Sequence, residues 1–116
     1  MTIYHIAFRT DWAEAVAAGE YRVSSRDLSL AEQGFIHAST AAQVAGVANA
    51  FYADAAAEDL VLLVIDPELL IAPLRYDPVP GAEQPFPHIY GPLNTDAVTG
   101  TAELARDAAG RYVFEA

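Results

Sequence analysis

Apolar and polar residues alternate along residues 2–8, with Ile3, His5 and Ala7 on one face and Tyr4, Ile6 and Phe8 on the other, the period-two signature of a strand. Thr10 or Asp11 can cap a following helix, with Trp12 and Val16 one turn apart on its inner stripe and Gly19 as its stop. Glu20 to Asp27 is polar and reads as irregular. Ser29-Leu-Ala-Glu32 has capping-box spacing, and Gly34 closes that short helix. Phe35 to Ser39 reads as a second strand that places Phe35, His37 and Ser39 on one side. Another capping box, Thr40-Ala-Ala-Gln43, opens a helix to about Asp54 whose inner stripe is Val44, Val47, Ala48 and Phe51.

From Leu60 to Ile65 the pattern becomes a continuous apolar run, LVLLVI, bounded by acids. A strand of that kind is buried on both faces and belongs in the middle of a sheet. All seven prolines then fall between Pro67 and Pro92. Proline removes an amide donor and fixes φ, so this region must consist of loops, edge strands and abrupt turns. Leu74 to Val79 reads as a strand, PVPGAEQPFP as a long exposed loop, and His88-Ile-Tyr90-Gly91 as a short strand with His88 and Tyr90 on one face. The tail suggests a strand over Ala97 to Ala105, a turn at Asp107 to Gly110 and a last strand from Arg111 to Phe114. Early helices among strands indicate an α+β fold with two main helices and a mixed sheet rather than an ordered βαβ series. At 116 residues the chain is long enough for one domain with a real core, and a single domain over 1–116 is expected.

Composition narrows the function. Sixteen acids against six arginines, with no lysine, give a formal charge of -10, whereas phosphate backbones call for a dense basic patch. Nucleic acid and anionic membrane surfaces are therefore not expected as partners. Without cysteine there is no disulfide framework, thiolate zinc cluster or cysteine nucleophile. The opening MTIYHIAFRT has no basic n-region and is not expected to be a signal peptide, and LVLLVI is far short of the roughly 20 residues of a spanning helix. A cytoplasmic protein is the expectation. The chain has no glycine-rich phosphate loop, G-x-S-x-G elbow or H-E-x-x-H pair, which excludes common nucleotide hydrolases, α/β-hydrolases and zincin proteases.

The candidate chemistry lies in three histidines, His5, His37 and His88, each inside an apolar strand-like context. Imidazole can donate, accept, shuttle a proton or ligate a metal, and its presence in three separate strands suggests convergence on one pocket. The alternative for each is a core histidine bonded to a backbone carbonyl. Ser39 can share a face with His37 and Tyr90 with His88, where an aromatic ring can stack on a ligand or fill the core. Thr40, Gln43 and Ser29 are better explained as caps. Asp66 and Asp77 sit at strand ends, where general bases are often held, whereas Glu83 lies in the proline-rich loop.

Taken together, Ile3-Tyr-His-Ile6, Gly34-Phe-Ile-His-Ala-Ser-Thr40 with Gln43, and Phe86-Pro-His-Ile-Tyr-Gly-Pro-Leu-Asn94 resemble the bacterial domain-of-unknown-function family 952 along essentially the whole chain. Leu74-Arg-Tyr-Asp77 also fits, with aspartate where the family has glutamate, and Gln33 stands where it usually has an acid. The resemblance implies a fold similar to the ADP-ribosyltransferase superfamily, a split mixed β-sheet whose cleft holds NAD in relatives. It implies His5 as the ribose contact, with His37 the nearest counterpart of a second position and His88 and Tyr90 in the third-motif segment; the leading reading of these residues takes His37 and His88 as catalytic and Ser39 and Tyr90 as further binding residues. The superfamily's catalytic acid has no clear counterpart. The implied ligand is NAD, as a possible substrate, or an ADP-ribose-like nucleotide, with ADP-ribose transfer as the reaction and no metal. A non-catalytic small-molecule binding module and a three-histidine metal site are the alternatives. The oligomeric state is left open, and a monomer is compatible with everything above.

Overall fold

The computed structural model describes residues 2–115. Strand β1 (Ile3–Phe8) leads into helix α1 (Arg9–Ala18), then β2 (Glu20–Tyr21), β3 (Val23–Ser25), β4 (Leu28–Ser29), helix α2 (Leu30–Gln33) and β5 (Ile36–His37). Helix α3 (Val44–Phe51) precedes β6 (Leu60–Ile65), β7 (Leu74–Asp77), β8 (Phe86–Ile89) and β9 (Leu93–Asn94). The chain ends with β10 (Val98–Ala102), β11 (Ala105–Arg106) and β12 (Tyr112–Val113). Among the described residues there are three α-helices and several small sheets, an α+β architecture.

Two three-stranded sheets dominate, ordered β1-β6-β10 and β5-β8-β7. Every strand pairing among the described residues is antiparallel, in place of the mixed sheet that the sequence suggests. Among the described residues no βαβ crossover returns a strand parallel to its neighbour; the proline-rich segment instead folds β7 straight back onto β8. The sheets meet at one isolated bridge, where Tyr4 N donates to Ser39 O at 2.8 Å and Ser39 N to Tyr4 O at 2.7 Å. Among the described residues the bridge stands alone, and no ladder continues between the two sheets on either side of it.

The LVLLVI strand is central and buried on both faces, as its pattern requires. Its odd-numbered residues, with Ile3 and Ala7, join Ala15 of α1, Tyr21, Ile36, Ile89 and Leu93 in one core. Its even-numbered residues, with Tyr4 and Ile6, pack on Val44 and Ala48 of α3, Tyr52, Leu104 and Tyr112 in a second. Each fully buried leucine or isoleucine there contributes about 1.5–3 kcal/mol.

Caps fix several boundaries. Gly19 and Gly34 end α1 and α2 in the left-handed region, at φ 87° and 92°. Ser29 and Glu32 form both hydrogen bonds of a capping box. Only half of the second box forms: Gln43 Oε1 accepts from Thr40 N at 3.0 Å, and α3 begins after Gln43. The Gln43 amide donates instead to Pro85 O at 3.0 Å, which pins the end of the proline-rich loop. Glu20 to Asp27 is not irregular but forms two short strands. The inner stripes also differ from expectation, because α1 seats Ala15 and leaves Val16 57% exposed, and α3 leaves Phe51 61% exposed.

Candidate functional site

His37 of β5 and His88 of β8 are directly opposed in the ladder, so their side chains emerge on the same face. Asp77 of β7 lies diagonally across from His88 and Tyr90 two residues beyond it, again on that face by the period of two. The side chains form one chain of hydrogen bonds. His37 Nδ1 is 3.1 Å from His88 Nε2, His88 Nδ1 is 2.8 Å from Asp77 Oδ2, and the Tyr90 hydroxyl donates to the same carboxylate oxygen. Rings clamp both imidazoles: Phe35 stacks on His88 at 4.0 Å between centroids, and Phe86 on His37 at 5.0 Å.

These contacts fix the protons. Bonds from Tyr90 and His88 hold the Asp77 carboxyl below its ordinary range, and the same carboxylate raises the Tyr90 phenol. An ionised carboxylate only accepts, so His88 carries its proton on Nδ1 and, when neutral, offers a lone pair at Nε2. Opposite a neutral His88, His37 donates from Nδ1, which leaves its Nε2 lone pair without a partner among the described residues. Burial, with His88 adding to it, lowers the His37 pKa to about 4, so this ring is neutral at physiological pH.

His5 stands where the two sheets part. Its Nδ1 lies 2.5 Å from the His37 carbonyl and its Nε2 2.9 Å from the Tyr21 hydroxyl. A carbonyl cannot donate, so Nδ1 bears the hydrogen and the tyrosine donates to Nε2. Burial lowers the His5 pKa to about 4 and pushes the Tyr21 phenol up, so both stay neutral. Neither nitrogen is left for a ribose.

The histidines line a cleft of about 490 Å³. Its apolar walls come from Phe35, Phe51, Phe86, Tyr52, Val47 and Val79, and its polar groups from His37, His88, Ser24, Ser25, Ser39 and the rim residues Arg26 and Asp27. Exposed Phe51 thus acquires a place as cleft wall rather than core. Ser24 is 1% exposed, and its hydroxyl is buried with no hydrogen-bond partner among the described residues. Ser39 is buried at the inter-sheet bridge and also faces the cleft. Arg26 is engaged, donating to Phe51 O at 3.1 Å and to Asp54 at 2.5 Å. Tyr90 is not among the lining residues and bonds Asp77 from behind, with Arg75 over its ring.

The structure therefore brings His5, His37, His88 and Ser39 to one cleft and sets Tyr90 one residue removed from it. Asp77, seen in sequence only as a strand-end acid, proves to be the carboxylate that orders the pair. Ser24 carried no sequence signal, because a buried serine without a partner looks like any other serine. Among the described residues no group of three histidine, cysteine, aspartate or glutamate side chains is placed to hold a metal ion. For the three-histidine alternative the reason is plain, since His5 has both nitrogens engaged.

Fold and site together define a small α+β protein of split antiparallel sheets with a histidine-floored cleft at their seam. The chain belongs to the family described as protein of unknown function (DUF952), whose model matches residues 6–101. It is similar to protein CC0527 from Caulobacter crescentus. The X-ray structure of that protein is 36% identical, covers 97% of this chain and 94% of that chain, and superposes with a TM-score of 0.81. Its solution NMR structure is 37% identical over 95% and 90% of the two chains, with a TM-score of 0.75. No curated protein matches the chain. No helix among the described residues is long and apolar enough to cross a membrane.

Proposed function

We propose that the cleft binds NAD or an ADP-ribose-like nucleotide, and that His37 handles a proton in transfer of the ADP-ribosyl group. The observation that carries this reading is the unpartnered His37 Nε2 at the floor of an aromatic-walled cleft, a concave apolar site with a few convergent polar groups. The Ser24 and Ser39 hydroxyls take over the ribose contact that the family resemblance assigns to His5. The rings of Phe35, Phe51 and Phe86 supply the stacking expected of Tyr90. His5 acts instead as the wedge that holds His37 in place through its carbonyl.

Calorimetric titration with NAD and with ADP-ribose tests the proposal. It predicts saturable heat, reduced at least tenfold in affinity by Ser24→Ala combined with Ser39→Ala, and nicotinamide release that is lost in His37→Ala. Absence of heat at millimolar ligand overturns it. The second reading, a binding module without turnover, is favoured by one fact: among the described residues Asp27, at the exposed rim, is the only carboxylate lining the cleft. Binding without nicotinamide release supports that reading.

A further inference from the structure

We propose that Asp77, His88 and His37 form a directional proton relay that makes His37 Nε2 a general base toward an acceptor hydroxyl or a water in the cleft, with Asp77 and Tyr90 as its positioning residues. The inference rests on the reading of the cleft as a nucleotide site and adds to it the direction in which the proton moves.

The geometry carries it. Three side chains from three adjacent strands lie in line, 3.1 Å and 2.8 Å apart, with a carboxylate at one end and an unpartnered imidazole nitrogen at the other. Phe35 and Phe86 stack on the two rings and keep them from turning. Tyr90 donates to the carboxylate, and Arg75, opposite His88 in the ladder, lies over the Tyr90 ring and adds a cation at that end. His88 is 4% exposed, so the middle of the relay is shut off from water.

The proton balance follows from this order. An acceptor O–H gives its proton to His37 Nε2 as its oxygen bonds to the ribose carbon. The glycosidic C–N bond breaks, and nicotinamide leaves with the electron pair as a neutral molecule. His37 then passes its Nδ1 proton to His88 Nε2, so the positive charge comes to rest on His88 beside the Asp77 carboxylate. His37 is left neutral with its hydrogen on Nε2; when the product departs, it releases that proton to solvent as His88 Nε2 hands its proton back to His37 Nδ1, which restores the starting tautomers. Burial, with His88 adding to it, lowers the His37 pKa to about 4, so the ring alone is a feeble base. The relay moves the charge off this ring and onto one held 2.8 Å from the Asp77 carboxylate.

Side-chain 15N–1H correlation spectra of the unliganded protein near neutral pH read the tautomers directly. The relay requires His88 and His37 each protonated on Nδ1 alone. A His37 protonated on Nε2, or a His88 bare at Nδ1, overturns it. Diethyl pyrocarbonate labelling read by peptide mass spectrometry is the second arm, because the reagent acylates unpartnered neutral imidazole nitrogen. His37 should react at least about tenfold faster than His5, and equal rates contradict the relay. Asp77→Asn should slow His37 labelling severalfold while the backbone spectrum stays dispersed; should that variant not fold, the wild-type tautomers still decide. If tautomers and labelling hold while NAD gives no heat, the nucleotide reading fails and the relay stands. If the tautomers are reversed, the relay fails whatever NAD does.

Discussion

Replacing Tyr21 by phenylalanine isolates the contact that holds His5 at the seam between the sheets. Tyr21 is 2% exposed and His5 3% exposed, and the ring that phenylalanine keeps meets the imidazole edge-on at 5.1 Å. Only the hydroxyl is lost, and with it the donor to His5 Nε2 at 2.9 Å. The imidazole cannot escape by changing tautomer. Moving its hydrogen to Nε2 would set a bare Nδ1 lone pair against the His37 carbonyl oxygen 2.5 Å away. The acceptor is therefore stranded in the interior, a loss of about 1–3 kcal/mol. For a chain of this length that corresponds to a fall in Tm of roughly 4 °C per kcal/mol. Urea unfolding of both proteins should show a lower midpoint with the same slope for Tyr21→Phe. A variant as stable as the parent within about 0.5 kcal/mol would refute the account of His5 as a sealed, structural imidazole.

The other expectations are as direct. Below its ordinary value of 6.5 the unfolded chain protonates His5 while the native state, with its pKa at about 4, refuses the proton. Stability is then complete above that value and declines as pH falls toward 4, by about 1.4 kcal/mol per pH unit from His5 alone, with His37 acting in the same direction. Urea midpoints that stay level between about pH 7 and pH 5 would contradict this. Ser24→Ala removes a buried hydroxyl that has no partner among the described residues, so apo stability should hold or rise by up to about 1–2 kcal/mol, seen as an equal or higher Tm. A clear loss of stability would mean that the hydroxyl has a partner after all. Gly91→Ala would bring a methyl to 2.8 Å from the Ala72 Cβ, where Tyr90 N already ties the segment to Pro73 O at 2.8 Å. It should cost about 1–3 kcal/mol in thermal unfolding, and an unchanged Tm would count against such close packing.

What could be read from the sequence follows from how local each signal is. The alternation of residues 2–8, the LVLLVI run, the capping box at Ser29 and the stops at Gly19 and Gly34 each depend on a few neighbouring residues, and each has its counterpart in the structure. Val16 and Phe51 obey helical periodicity yet lie outside the core, because helical spacing does not say how wide the sheet beneath a helix is. Glu20 to Asp27 forms strands only because Asn94, Leu93, Ser29 and Leu28 come alongside it. The same limit applies at the site. Three histidines in apolar strands could be singled out, but their differing fates depend on tertiary neighbours. Tyr21 and the His37 carbonyl close off His5, whereas Asp77, 11 residues before His88, orders the pair that stays open. Tyr90 shares a face with His88 as its spacing indicates, yet its hydroxyl is spent on Asp77 rather than turned toward the cleft.

The central claim, that His37 presents a free nitrogen to a nucleotide in the cleft, is met most directly by following the three histidine side chains by NMR while NAD is added. The account predicts saturable movement of the His37 Nε2 resonance, a smaller response at His88 and a stationary His5. Resonances that all stay in place at millimolar NAD, or a His5 that moves while His37 does not, would contradict it.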